Sequence, residues 1–242
     1  MILKTEAICL KSTRYGESSV ISKMFTMEHG LSSFIIQGIN RKSSQIRPSH
    51  IAPGNIVELV VYQKVNSTIQ RVKDIKVING HYEIHTSMVK NAVLQFILEI
   101  IVKTNEDDFK EPMVFNFLKH TIIELEDLQH NIGNVPLFFL CSYLKFSGWF
   151  PNLEMCKEDS VFSINEGRFI TKSNDEFSLY LSINQSRELF KILSLIQDCK
   201  ETKKIEINFK KDLFNALLKY YEIHILKGKR IKSPSVLAEI FS

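Results

Sequence analysis

The sequence predicts an α+β chain. A five-stranded barrel occupies residues 1–80, and a helical domain with a small inserted β-hairpin lobe at 151–181 occupies residues 81–242. Three observations carry this. The first eighty residues are apolar, β-rich runs cut by turn clusters, with polar residues such as Glu6, Lys11 and Lys23 between apolar ones, as in half-buried antiparallel strands. Helical spacing takes over near Met88 and continues through three segments. Between Pro151 and Leu181 the pattern reverts to two short runs around a glycine turn.

The first strand is predicted around Thr5–Leu10, ending at the turn Tyr15-Gly16-Glu17. Glycine there supplies positive φ, so the tyrosine is read as part of a turn rather than as a catalytic group. The second and third strands flank Glu28-His29-Gly30. Adjacent Glu and His invite an acid–base or ligand reading, but neighbours in a tight turn point apart, which favours a structural role. A basic loop follows, from Gly38 to Pro48, and then strands at Ile56–Tyr62 and Thr68–Ile78. Five short strands with a basic loop after the third form the pattern of a small barrel that grips a polyanion.

Thr86 and Ser87 can cap the first helix, whose dense apolar content from Met88 to Val102 predicts burial on most sides. Pro112 starts a second helix, where proline is tolerated, with Val114, Leu118, Ile122, Leu125 and Leu128 at helical spacing. A turn at Asn131–Asn134 leads to a third helix, Val135 to about Phe146. The hairpin is predicted at Val161–Ile164 and Arg168–Ile170. Further helices follow from Asn184 to Asp198, from Lys211 to Leu226 with Gly228 as its stop, and from Ser233 onward.

Composition narrows the class. The apolar fraction of 44% and charged fraction of 24% are those of a globular protein. No apolar run approaches the length of a membrane span, and the first residues lack the pattern of a signal peptide, so a cytoplasmic location is expected. The four cysteines, Cys9, Cys141, Cys156 and Cys199, contain no C-x-x-C pair and are expected to be reduced and mostly buried. Net charge is +4, unevenly spread. Residues 1–80 hold eleven Lys or Arg against five acids, residues 81–150 five against nine, and 200–232 ten against four. This favours a polyanionic partner across the barrel and the tail; scatter in a lysine-rich chain is the bland alternative.

The candidate DNA-binding residues are Arg14, Arg41, Lys42, Arg47, Lys64 and Arg71, with Tyr15, Phe34 and Tyr62 as candidate stacking faces. The alternative for the basic loop is a solvated connector. Lys119 and Lys145, together with the lysines of the last long helix, are candidate cations for an acidic peptide, a partner implied only by the resemblance of this chain to a known family. Lys227, Lys229, Arg230 and Lys232 either complement a helix end or extend a nucleic-acid track. His81 and His85 have metal-binding spacing but no third ligand nearby. No P-loop, G-x-G-x-x-G, G-x-S-x-G or H-E-x-x-H is present, so nothing argues for an enzyme or a cofactor.

The order of these pieces resembles the RecO family of bacterial recombination mediators. The matching residues are Thr5, Ala7, Ile8 and Leu10, then Tyr15-Gly16-Glu17-Ser18, then Phe25-Thr26 with Glu28-His29-Gly30-Leu31, and then Gly38 with Arg41 and Lys42. Gly148-Trp149-Phe150-Pro151-Asn152-Leu153 with Cys156 matches a second landmark, and the run from Leu217 to Lys229 matches the family's last long helix. The resemblance implies an OB-type barrel. It implies binding of single- and double-stranded DNA, annealing of complementary strands, and help in loading RecA onto DNA coated by single-strand-binding protein. The implied partners are RecR, the acidic, apolar C-terminal tail of single-strand-binding protein, and RecA indirectly; the implied location is the bacterial nucleoid. Many members hold zinc with four cysteines near the second landmark. Here Cys156 matches the first position, Asp159 stands at the second, and no cysteine pair follows, so a lobe held by packing without zinc is expected. Two other classes remain open: a generic single-stranded nucleic-acid-binding barrel, and an adaptor without direct DNA contact.

Overall fold

The computed structural model describes residues 2–39, 45–64, 67–154, 156–171, 179–200 and 206–241. It forms two compact units, Met1–Leu128 and Gln129–Ser242.

The first unit contains a closed barrel of β1 (Ile2–Tyr15), β2 (Ser19–Thr26), β3 (Gly30–Ile36), β4 (Ile56–Tyr62) and β5 (Ile69–Asn79), in the order β1-β2-β3-β5-β4. Among the described strand pairings of the barrel, β3–β5 is parallel and the others are antiparallel. This is the predicted OB-type barrel, but β1, at 14 residues, is not a short strand. It serves both neighbours: Ile2–Ile8 pairs with β4, and Ala7–Tyr15 pairs with β2. A register shift between Cys9 and Lys11 marks where it turns the corner. A bulge of this kind bends the strand and resets which face each later side chain occupies. The interior is filled by Ala7, Cys9, Met24, Phe34, Ile36, Leu59, Val61 and Val72, among others. Burial pushes the Cys9 thiol up to about 12, which leaves it inert.

Among the described residues, three α-helices follow the barrel in this unit. A short α1 (Tyr82–Thr86), not anticipated from sequence, precedes α2 (Met88–Thr104) and α3 (Pro112–Asp127). Ser87 caps α2 by accepting from the Lys90 N–H, and α2 is buried on most sides as its composition predicts. Lys90 is itself buried, and its ammonium donates to the Glu126 carbonyl oxygen at 2.6 Å.

The second unit holds α4 (Val135–Ser147), the hairpin β6 (Ser160–Ser163) and β7 (Arg168–Thr171), α5 (Ile183–Gln197), α6 (Lys210–His224) and α7 (Ser233–Ile240). The α6 helix stops short of Gly228. The N–H groups of Ile225 and Leu226 both reach the Tyr221 carbonyl, so the backbone turns out before the glycine, which instead shapes the next turn at φ 81°. Hairpin and helices meet through aromatic rings. Phe162 lies edge-on to Phe169 and Tyr220, with centroids 5.2 and 5.7 Å away. The His224 ring is flanked by Trp149 and Tyr220, each centroid 4.6 Å away, and its Nε2 lies 2.9 Å from the Ile164 carbonyl oxygen. The Tyr220 hydroxyl donates to the Trp149 carbonyl oxygen at 2.8 Å. No group of three or more Cys, His, Asp or Glu able to hold a metal exists among the described residues. The cysteines are less buried than expected. Cys9 and Cys141 are buried, but Cys156 is half-buried, and Cys199 is exposed because it sits past the end of α5 in a left-handed turn.

Candidate nucleic-acid interface

Directly paired residues on neighbouring strands share a face. With Met24 and Phe34 pointing inward, Lys23, Ser33 and Ile35 point outward. The register then gives two rows on the outer face of the barrel. One runs Thr13–Ile21–Ile35–Arg71–Tyr62–Ile2, and the other Lys11–Lys23–Ser33–Ile69. Their side chains are exposed or half-exposed. The next outward row, Ile8–Phe25–Leu31, is fully covered. Phe25 stacks on Phe115 of α3 at 6.3 Å between centroids. One sheet face is thus half core and half open.

The open half has the composition of a single-strand platform. Tyr62 is 40% exposed, and the Arg71 guanidinium carbon lies 6.0 Å from its ring centroid, at the outer reach of a cation–π contact. The half-exposed aliphatic surface of Ile21 and Ile35 continues the row. Lys64 stands just past β4 in a loop shaped by Gln70. The Gln70 amide oxygen accepts from the Lys64 N–H at 2.8 Å, and its nitrogen donates to the carbonyls of Lys64 and Ser67.

The residues singled out from sequence do not all fall here. Arg71 and Lys64 border the open face. Arg14 pairs with the core residue Val20 and so shares the inward phase, exposed at the barrel rim. Arg47 is exposed ahead of the 3-10 turn Pro48–Ile51. Arg41 and Lys42 lie outside the described residues. Tyr15 is exposed, whereas Phe34 is core. Lys11 and Lys23 were missed as binding candidates. Their place on the open face depends on a bulge and on which part of the sheet the helices cover, and neither leaves a local sequence signal.

Glu28 and His29 do diverge as a turn predicts. Glu28 pairs with Lys110 at 2.7 Å, which holds its carboxyl below the usual range, while His29 Nε2 is buried. His81 and His85 lie on either side of the start of α1, and His81 is buried.

Lys119 and Lys145 each make a contact within their own unit. The Lys119 ammonium pairs with Glu6 at 2.5 Å, and that of Lys145 donates to the Ile196 carbonyl oxygen at 2.5 Å. A cavity of about 290 Å³ lies elsewhere in the second unit, between α4, α6 and α7. Pro136, Leu137, Phe214, Leu237 and Phe241 give it apolar walls, and Lys210 and Lys211 line it as cations.

The closed β1-β2-β3-β5-β4 order and the free strand face bearing cations and an aromatic ring define an OB-fold protein joined to a helical domain. Residues 1–81 match the family described as Recombination protein O N terminal, and residues 85–234 match Recombination protein O C terminal. The chain is 29% identical over 245 residues to the DNA repair protein RecO of Flavobacterium psychrophilum, and 27% identical over 244 residues to that of Christiangramia forsetii, with both partners covered in full in each case. It is 30% identical to the RecO of Pelodictyon phaeoclathratiforme over 166 residues, 69% of this chain and 62% of that one. The chain belongs to the RecO family, whose members act in DNA repair and recombination. Among the described residues, no helix is long and apolar enough to cross a membrane.

Proposed function

We propose that this chain is a recombination mediator that binds single- and double-stranded DNA, anneals complementary strands and helps load RecA onto DNA coated by single-strand-binding protein. It works by exchange of binding partners, without nucleotide hydrolysis or a cofactor, in the bacterial cytoplasm at the nucleoid. Its nucleic-acid-binding domain is 1–80, and 81–242 is the helical domain. The observation that carries this reading is the open half-face of the barrel, where Tyr62, Arg71 and Lys11 put an aromatic ring and cations on one solvent-facing surface. Arg14, Arg41, Lys42, Arg47 and Lys64 are further DNA contacts in this reading, Arg41 and Lys42 on their charge alone.

RecR is a further partner in this reading. The acidic, apolar tail of single-strand-binding protein docks in the cavity beside Lys210 and Lys211, because an apolar anchor needs a cleft and a carboxylate needs a cation. Lys119, Lys145 and the lysines of the last long helix were all candidate cations; of these, Lys210 and Lys211 of the last long helix line the cavity, while the Lys119 and Lys145 ammonium groups contact Glu6 and Ile196.

The test is single-strand binding across a salt series. Replacing Lys11 and Arg71 together with alanine should flatten the plot of log affinity against log salt by about 0.7 per lost phosphate contact. Unchanged affinity and slope would remove this face from the DNA track. DNA binding without annealing of coated strands would leave a generic single-strand binder. A labelled acidic tail peptide that shows no response to the protein up to about millimolar concentration would sink the cavity assignment.

A further inference from the structure

Lys11 and Lys23 stand directly opposite each other on the open face. Like charges in that position repel. The chain supplies an anion beside them: Asp107, in the loop between α2 and α3, pairs with Lys23 at 2.9 Å. That loop is pinned along the start of β3. Asp107 bridges to Leu31, the Asp108 N–H donates to the Leu31 carbonyl oxygen at 2.9 Å, and the Ser32 hydroxyl donates to the Asp108 carboxylate at 3.0 Å. Gly30 makes the approach feasible. A Cβ at that position would lie 1.9 Å from the Phe109 carbonyl oxygen. The loop backbone is thus hydrogen-bonded to β3, while the Asp107 side chain itself stays 64% exposed and Lys23 31% exposed. The pair is open to solvent and to exchange.

We propose that Asp107 is a built-in competitor for the nucleic-acid backbone. Its carboxylate holds Lys23 as a phosphate would, and a bound strand must displace it to use that lysine. This rests on the open face being the DNA-binding surface, and it assigns Asp107 as a determinant of affinity and of salt dependence. Exchange is easy because an exposed ion pair is weak. The competitor therefore tempers binding rather than blocking it. It also keeps Lys11 and Lys23 from repelling each other while no DNA is bound.

The experiment compares full-length wild type, Asp107→Asn, Lys23→Ala and the double variant for single-stranded DNA binding over a salt series. The fold of each is checked by thermal melting. Asp107→Asn should bind roughly two- to fivefold more tightly at low salt, the range set by a surface ion pair. Its salt plot should steepen by about 0.7, the value of one more phosphate contact. Lys23→Ala should weaken binding less in the wild-type background than in the Asp107→Asn background, where it should abolish the gain. A wild type that binds with normal salt dependence, and an Asp107→Asn that matches it, would overturn the competition while leaving the binding face intact. A gain that survives in the double variant would overturn it too, since any loss of negative charge would then suffice. A wild type with no salt-dependent binding would overturn the face and the competitor together.

Discussion

The two halves of the outer β2–β3 face come from the same strands, yet they differ in what they do. In one half Phe25 and Leu31 are sealed under α3 and its preceding loop; in the other Ile21, Ile35 and Tyr62 meet solvent beside Lys11, Lys23 and Arg71. Apolar side chains alone do not separate core from ligand surface here. The helices decide by covering one half, and the charges sort accordingly: cations remain where nothing packs.

This contrast can be broken, most strongly in the covered half. Phe25→Ala should destabilise the first unit by about 3–5 kcal/mol, seen as a lower denaturation midpoint, because it empties a site against Phe115. A loss under about 1 kcal/mol would mean the half-face is not core. Gly30→Ala should cost at least about 1–3 kcal/mol from its left-handed backbone alone, and more from the collision with Phe109. A variant as stable as wild type would show that the loop is not pressed against the turn. In the open half the effects should move from stability to binding. Tyr62→Ala should weaken single-strand binding by about 1–3 kcal/mol if a base stacks there, with an unchanged melting temperature; a lower melting temperature with unchanged affinity would make it core.

The smallest effect sharpens the comparison through pH. His81 lies beside Gly54 at the junction of barrel and helices, and burial depresses its pKa below 6.5 despite Glu126 and Asp127 nearby; His85 adds to the lowering. The unfolded chain therefore binds the proton first as pH falls. Stability should decline from about pH 6.5 downward toward the folded-state pKa. His81→Leu should make that decline shallower in denaturant unfolding at pH 5.5 compared with 7.5. An equally steep decline would assign the acid sensitivity to other groups.

Much of the fold was legible. Strand β4 matched its apolar run residue for residue, Ser87 was found as a cap for α2, Pro112 opened α3, and the glycine turn at 165–167 joined the hairpin. These signals are local, since alternation, caps and turn residues act within a few positions of the chain. Arg71 and Tyr62 were also legible as a cation and an aromatic near a loop. The reach of β1 around the barrel was not, because a bulge has no fixed residue signature, and neither was the early end of α6, where carbonyl competition beats an available glycine.

By itself, then, the sequence determined the order of the strands and longer helices, the barrel class, the basic bias of the first eighty residues and, through the motifs around Tyr15, Glu28 and Gly148, the family. Only the tertiary structure decided which face of the barrel is open, that Lys11 and Lys23 stand opposite one another, and that an acid over eighty positions away in the chain, Asp107, neutralises one of them. The reason is physical. Hydrophobic periodicity records which residues avoid water, but the pairing of distant charges depends on strand register and on the path of a loop, and both are set only when the whole unit closes.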